Sequence, residues 1–223
     1  MYRFFIQPQL NKVKGSLIGY ELLLKQKTAT GWRPPHHFTA ITPAELSTLL
    51  LKTTQVLSLK IPSLAINLNR KQLIDPAINQ ALIKVQASLR PIKLNVELTE
   101  QATEPPITNR EILPFITDFT DMGMKFVLDD VGSGLNQYES VQPLLPYVSE
   151  VKFALQNFRH AQREAEIAPQ LQFWQRLAQN THKRLIIEGI ESAADDQMAD
   201  NLGIALRQGY FYGKPRLLKI AGD

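Results

Sequence analysis

Short apolar runs alternate along this chain with longer stretches of helical period. Residues 2–8 read as a strand, Asn11 to Gly15 as a polar turn, and residues 16–25 as a second strand. Residues 28–39 hold Trp32, Pro34, Pro35, His36 and His37 and read as an irregular loop. Thr42-Pro43-Ala44-Glu45 combines a capping box with proline at the first helical position. Apolar residues at 46, 49, 50, 56 and 57 give the helix that follows an inward face. Leu64 to Asn69 predicts a strand, and Asp75-Pro76 opens a helix with Ile78, Leu82, Val85 and Leu89 along one side. Lys93 to Glu100 is the next strand. Thr108 to Glu111 repeats the capping box, and its helix stops at Gly123. Phe126 to Leu128 is a strand that ends in Asp129 and Asp130, with a Gly-Ser-Gly turn behind them. Glu150 to Leu155 and Arg184 to Ile190 are strands, separated by a polar, helical stretch over 156–182 around Leu171, Trp174 and Leu177. Ser192 caps a helix that stops at Gly203, and 207–215 form a last strand and turn.

This β-α alternation runs through all 223 residues without a break in composition, so a single domain spanning 1–223 is expected. Alternation of this kind implies a parallel sheet with helices on its faces. With about eight strands, the pattern favours closure into a TIM-type (β/α)8 barrel. An open doubly wound sheet is the alternative. It is weakened by the lack of a glycine-rich dinucleotide fingerprint or a Walker loop after an early strand.

Composition narrows the class. Hydrophobic residues at 44% can fill a core, and charged residues at 21% do not fit a disordered chain. With no cysteine, disulfides and thiolate zinc sites are excluded. No apolar run approaches the ~18 residues of a membrane helix. The N-terminal Met-Tyr-Arg-Phe-Phe-Ile has too short an apolar block for a signal peptide. A cytoplasmic protein without a membrane segment is expected, with any regulatory domain on a separate chain. The net charge of +4 mildly favours an anionic ligand. Lys and Arg are scattered, so a DNA or RNA groove has no support. His36 and His37 are a poor metal pair, because adjacent side chains diverge.

Glu21, Asn67, Glu97, Asp129, Lys152, Glu188 and Gln208 share one description. Each is a polar residue in or just after the apolar part of a different strand. In a β/α barrel such positions converge on one mouth. Each acid also has a bland reading: a solvated edge position for Glu21, an Asp turn for Asp129 and Asp130. Together they resist it, since carboxylates about 4 Å apart repel by about 4 kcal/mol at an effective dielectric near 20. A divalent cation removes that repulsion, and an oxygen-only ligand set points to Mg²⁺ or Mn²⁺. A cation cluster with a lysine suits phosphoryl chemistry.

Six ordered motifs then resemble those of the EAL domain family of cyclic di-GMP phosphodiesterases. Gly19-Tyr20-Glu21-Leu22-Leu23 stands where that family has Glu-Ala-Leu, and Asn67-Leu68-Asn69 resembles its Asn-Leu-Ser segment. Glu97-Leu98-Thr99-Glu100 matches Glu-x-Thr-Glu, and Asp129 to Gly134 resembles Asp-Asp-Phe-Gly-Thr-Gly. Glu188-Gly189-Ile190-Glu191 resembles Glu-Gly-Val-Glu, and Gln208-Gly209-Tyr210 with Gly213-Lys214-Pro215 matches the closing motif.

The resemblance implies a modified barrel with one antiparallel strand and metal-dependent hydrolysis of cyclic di-GMP to linear 5′-pGpG. It implies a first metal on Glu21, Asn67, Glu97 and Asp129, and a second served by Asp129 and Asp130. Lys152 would position water, and Glu188 would be the base or a metal-site carboxylate. Glu100 would brace the 129–134 loop, while Gln208 and Glu191 complete the catalytic site. Gln7, Leu23, Lys25, Asn67, Gln208 and Tyr210 fall on the substrate side. A homodimer and a regulatory partner chain are compatible with it.

Five positions depart from the family pattern. Leu22 replaces the signature Ala, and Val131 replaces Phe in a loop expected to be mobile. Lys25 replaces an Arg, which keeps the charge and loses a bidentate grip. Ala154 replaces the Asp after the lysine, and Ala205 stands near the usual Asp before Gln208. These leave a weak or inactive cyclic di-GMP-binding module as the alternative function, with a scaffold that has lost the nucleotide as a third reading.

Overall fold

The computed structural model describes residues 1–57 and 61–220. The chain begins with strands β1 (Tyr2–Asn11), β2 (Ser16–Thr28) and β3 (Gly31–Arg33), then helix α1 (Pro43–Leu57). β4 (Ser63–Leu68), α2 (Arg70–Leu73), α3 (Pro76–Leu89), β5 (Lys93–Leu98), α4 (Asn109–Asp121) and β6 (Lys125–Leu128) follow. Next come α5 (Tyr138–Val141), β7 (Glu150–Ala154), α6 (Leu155–His160), α7 (Glu164–Asn180) and β8 (Arg184–Glu188). The chain closes with α8 (Ala193–Asn201), β9 (Leu206–Arg207) and β10 (Arg216–Leu217).

β2, β4, β5, β6, β7, β8 and β9 lie side by side and parallel. β1 runs antiparallel between β9 and β2 and closes the ring. The result is an eight-stranded barrel with one antiparallel strand, and β3 and β10 extend the sheet outside it.

Capping chemistry sets where several helices start. Thr108 accepts from the Glu111 N–H while Glu111 reaches back to the Thr108 N–H, and Ser192 with Asp195 and Asn69 with Gln72 do the same. Thr42 and Glu45 make the reciprocal pair at α1. Each such cap contributes about 1 kcal/mol.

Alternation then divides the barrel strands into two faces. Leu64, Ile66 and Leu68 of β4, Leu94, Val96 and Leu98 of β5, and Phe126 and Leu128 of β6 form one buried apolar set against the helices. The opposite set faces the barrel interior and is largely polar: Asn67, Asn95, Glu97, Glu150, Lys152 and Glu188 are all buried or nearly so.

Local differences from the sequence reading have physical reasons. β2 runs on to Thr28 and pairs with β3, so part of the expected loop is a hairpin arm. Val56 is 43% exposed, and Thr53 and Thr54 take the inward positions of α1 instead. The 156–182 stretch breaks at Gln162, whose φ is +57°, into α6 and α7. The last strand shrinks to two residues, and turns occupy most of 208–215. α5 and a 3-10 segment at Gln142–Tyr147 fill a region for which the pattern predicts nothing.

Candidate active site

The parallel register aligns the C-terminal strand ends. Asn67 lies beside Glu97, Glu21 beside Ala65, and Ala154 beside Glu188. Lys152, fully buried, reaches up among the acids from β7. Its Nζ is 2.6 Å from Glu97 Oε2, 2.7 Å from Glu188 Oε1, 3.1 Å from Asp129 Oδ1 and 3.6 Å from Glu21 Oε2. Asn67 Nδ2 donates to Glu21 Oε1 at 2.5 Å, and Gln208 Nε2 donates to Glu21 Oε2 at 2.5 Å. Gln208 also reaches Gln7 Oε1 at 3.3 Å, and Gln7 Nε2 donates to the Gly213 carbonyl. One lysine and two amides therefore hold together acids carried in or just after four different strands.

Asp129 and Asp130 follow β6 in a sharply folded loop. The Asp129 N–H donates to the Leu98 carbonyl at 3.0 Å, and Asp130 adopts φ +50°, an uncommon conformation outside glycine. That turn lets adjacent acids share one spot. Asp129, Asp130 and Glu188 each offer an oxygen, and these atoms lie within 4.8 Å of one another. Gly134, at φ +47°, presses on Glu100: a Cβ there would sit 2.4 Å from the Glu100 carbonyl oxygen. Leu135 N–H donates to that same carbonyl at 2.8 Å. The contact of Glu100 with the loop is thus made by its backbone and stem.

Electrostatics follow from crowding. Burial raises Glu188 to about 8, against an opposing pull from Lys152, with Asp129 and Glu21 adding to the rise. Burial, then repulsion from Asp129 and Glu188, pushes Asp130 up to about 9. Burial likewise raises Asp129, and raises Glu97 well above the carboxylate range. For Glu21 burial is outweighed by Lys152, Gln208 and Asn67, and its carboxyl lies low. Burial opposes the charge of Lys152, but four acids hold it well above the ordinary lysine value.

Asn67 Oδ1, Glu97 Oε1 and Asp130 Oδ1 are buried oxygens without a hydrogen-bond partner. Oxygen donors of this kind, with surplus negative charge, suit a hard divalent cation.

The acids open into a cavity of about 670 Å³. Gln7, Leu23 and Lys25 line it, with Lys25 Nζ 4.7 Å from the centre of the Phe5 ring. Tyr210 and Glu191 stand on its rim, both exposed, and Lys214 Nζ lies 5.5 Å from the Tyr210 ring. Of the departures, Leu22, Val131 and Ala154 are buried, with Val131 pinned by its N–H to the Lys152 carbonyl. His36 and His37 are exposed.

Two supports escape the sequence reading. Asn136 is fully buried and donates to the carbonyls of Leu98 at 3.0 Å and Asp129 at 2.5 Å. Arg207 is 1% exposed and donates to Asp196 at 2.5 Å and Asp200 at 2.6 Å, anchoring the strand end that carries Gln208. An asparagine after a Gly-Ser-Gly turn hints at the first. Nothing local marks Arg207 as buried.

Residues 2–215, which carry the barrel with its reversed strand and the acids around the lysine, match the EAL domain. The chain belongs to the EAL domain family. It is 30% identical over 155 residues to the cyclic di-GMP phosphodiesterase PdeR of Escherichia coli (strain K12), covering 68% of this chain and 22% of that protein. It is 26% identical to the signaling protein YkoW of Bacillus subtilis (strain 168), over 94% of this chain and 27% of that one. The chain thus spans less than a third of the length of these two relatives. Among solved structures, the fold matches the PaMucR phosphodiesterase in complex with c-di-GMP, with a TM-score of 0.78, 22% identity and 97% of each chain covered. An EAL domain protein of Listeria monocytogenes EGD-e matches with a TM-score of 0.75 and 19% identity over 96% of this chain and 88% of that one. No helix among the described residues is long and apolar enough to cross a membrane.

Proposed function

We propose that this chain hydrolyses cyclic di-GMP to linear 5′-pGpG, using Mg²⁺ or Mn²⁺. One observation carries the reading: Lys152 Nζ lies within 3.6 Å of four carboxylates whose neighbourhood also offers unpartnered oxygens. Glu21, Asn67, Glu97 and Asp129 would hold one cation, and Asp129 with Asp130 a second. Such a cation polarises a phosphate oxygen and lowers the pKa of a bound water.

The protein's own groups divide the remaining work. Lys152 orients the attacking water and offsets negative charge that develops on the phosphoryl oxygens. Nearby positive charge favours the ionised form of Glu188, which then takes the water's proton. The water oxygen bonds to phosphorus, the bond from phosphorus to the 3′ oxygen breaks, and that oxygen takes up a proton. Gln208 and Asn67 keep Glu21 ionised and aimed. Lys25, Leu23, Gln7 and Tyr210 border the space for the nucleotide, and the cavity has the size of a small-molecule site.

Incubation of the purified chain with cyclic di-GMP and either metal, followed by chromatography, should release pGpG. Glu21→Gln should abolish the release. Failure with both metals ends the hydrolytic reading. Lys25, held over Phe5 where a bidentate arginine is usual, favours a second one: a module that binds cyclic di-GMP without turnover. Calorimetry would then show binding where the chromatogram shows no product.

A further inference from the structure

The end of the barrel opposite the acids is basic. β5, β6 and β8 begin with Lys93, Lys125 and Arg184. Register links them in steps: Asn95, two residues past Lys93, pairs with Lys125, and Val127, two residues past Lys125, pairs with Glu150, which pairs with Arg184. By strand alternation Lys93, Lys125, Glu150 and Arg184 belong to the same interior-facing set as Glu97, Asp129, Lys152 and Glu188. At about 3.3 Å per residue, Lys125 lies about 13 Å below Asp129.

Charge at this floor does not balance. Glu150 is fully buried, and Arg184 Nε donates to its Oε2 at 2.6 Å. That pair accounts for one cation through Oε2, and Glu150 Oε1 has no hydrogen-bond partner among the described residues. Lys125 is half-buried, and neither it nor Lys93 makes an ion pair or side-chain hydrogen bond among the described residues. Burial and then the Arg184 charge lower Lys125, with Glu150 opposing and Lys93 adding to the effect. Beside Lys125, Asn95 is 1% exposed, and neither its amide nitrogen nor its oxygen has a hydrogen-bond partner. Buried polar groups without partners are costly, and an uncompensated cation beside them more so.

We propose that this floor is a second binding site, for a phosphate-class oxyanion, with Lys125 and Arg184 as its charged contacts, Asn95 Nδ2 as a donor and Lys93 at its opening. An oxyanion there supplies the missing negative charge and an acceptor for Asn95. The site is independent of the hydrolytic reading, because no residue is shared with the mouth. Two sources carry this chemistry: inorganic phosphate and the 5′-phosphate of a nucleotide.

The test is thermal unfolding of the full chain in chelator, at constant ionic strength, with chloride exchanged for inorganic phosphate or for guanosine 5′-monophosphate. At ten times the dissociation constant, a rise of about 3–6 °C is expected for a chain of this size. Lys125→Met should erase the rise, Lys93→Met should weaken it, and Lys25→Met, at the mouth, should leave the rise with inorganic phosphate intact. A larger rise with the nucleotide that Lys125→Met removes identifies that source; equal losses in the two solutions identify inorganic phosphate. Should Lys125→Met not fold, Lys93→Met decides. No rise in the wild-type chain, persistence in both floor variants, or loss of the rise with inorganic phosphate in Lys25→Met overturns the proposal.

Discussion

Without metal, the chain should lose stability as pH rises from about 5.5 to about 8, against the usual expectation for a protein near neutrality. Glu188 shows why. Its ordinary pKa of 4.5 rises to about 8 in the folded state. The folded chain therefore holds this proton where the unfolded chain has released it. Stability from that difference is complete below about 4.5 and drains away as pH climbs toward 8. Over this window the one group costs about 3 kcal/mol. For a chain of this length, that corresponds to a fall of about 6–12 °C in melting temperature. Glu97, Asp129 and Asp130 are displaced in the same direction and deepen the fall. Glu21 is displaced the other way, so its contribution is lost only in more acidic solution. Lys152 is raised, so its contribution persists until strongly basic pH.

A divalent cation competes for the same oxygens, so binding releases protons and strengthens with pH. Melting curves in chelator and in Mg²⁺, at about pH 5.5 and about pH 8, measure both effects. The gap between the two curves should be small in acid and wide in base. A metal-free melting temperature that stays flat or rises across the window would show that these acids do not share a buried, crowded site.

Other substitutions test single links. Lys152→Met removes the cation beside Glu21, the acid held low, and in chelator near pH 7 it should cost about 3–5 kcal/mol, as for a broken buried ion pair. Urea unfolding measures it; a midpoint equal to the wild type's would mean that the acids are already neutral without the lysine. Asn136→Ala strips the Leu98 and Asp129 carbonyls of a donor and should cost about 1–3 kcal/mol in thermal unfolding. If melting is unchanged, another group has taken over that support.

The sequence reveals much of the barrel because its strands alternate so strictly. Leu94, Val96 and Leu98 are interleaved with Asn95 and Glu97, and only a strand buried on both faces explains both sets. Caps such as Thr108 with Glu111 act within three residues, so they too are visible in one dimension. What stays hidden depends on distant partners. Asn67 and Gln208 are legible as members of the rim, but their direct donation to Glu21 is not. Arg207 looks like a surface residue, and only the placement of α8 makes its burial affordable through Asp196 and Asp200. The β3 hairpin lay concealed because Pro34, Pro35 and two histidines dominate that stretch.

The reversed first strand has a consequence for assembly. Leu10 pairs with Arg207, so the seam that shuts the cylinder joins the earliest part of the chain to one of the latest. Gln208, the residue after that seam, is also the one that grips Glu21. Glu21 therefore has this donor only in the closed ring, so damage to the seam should disable chemistry and folding together.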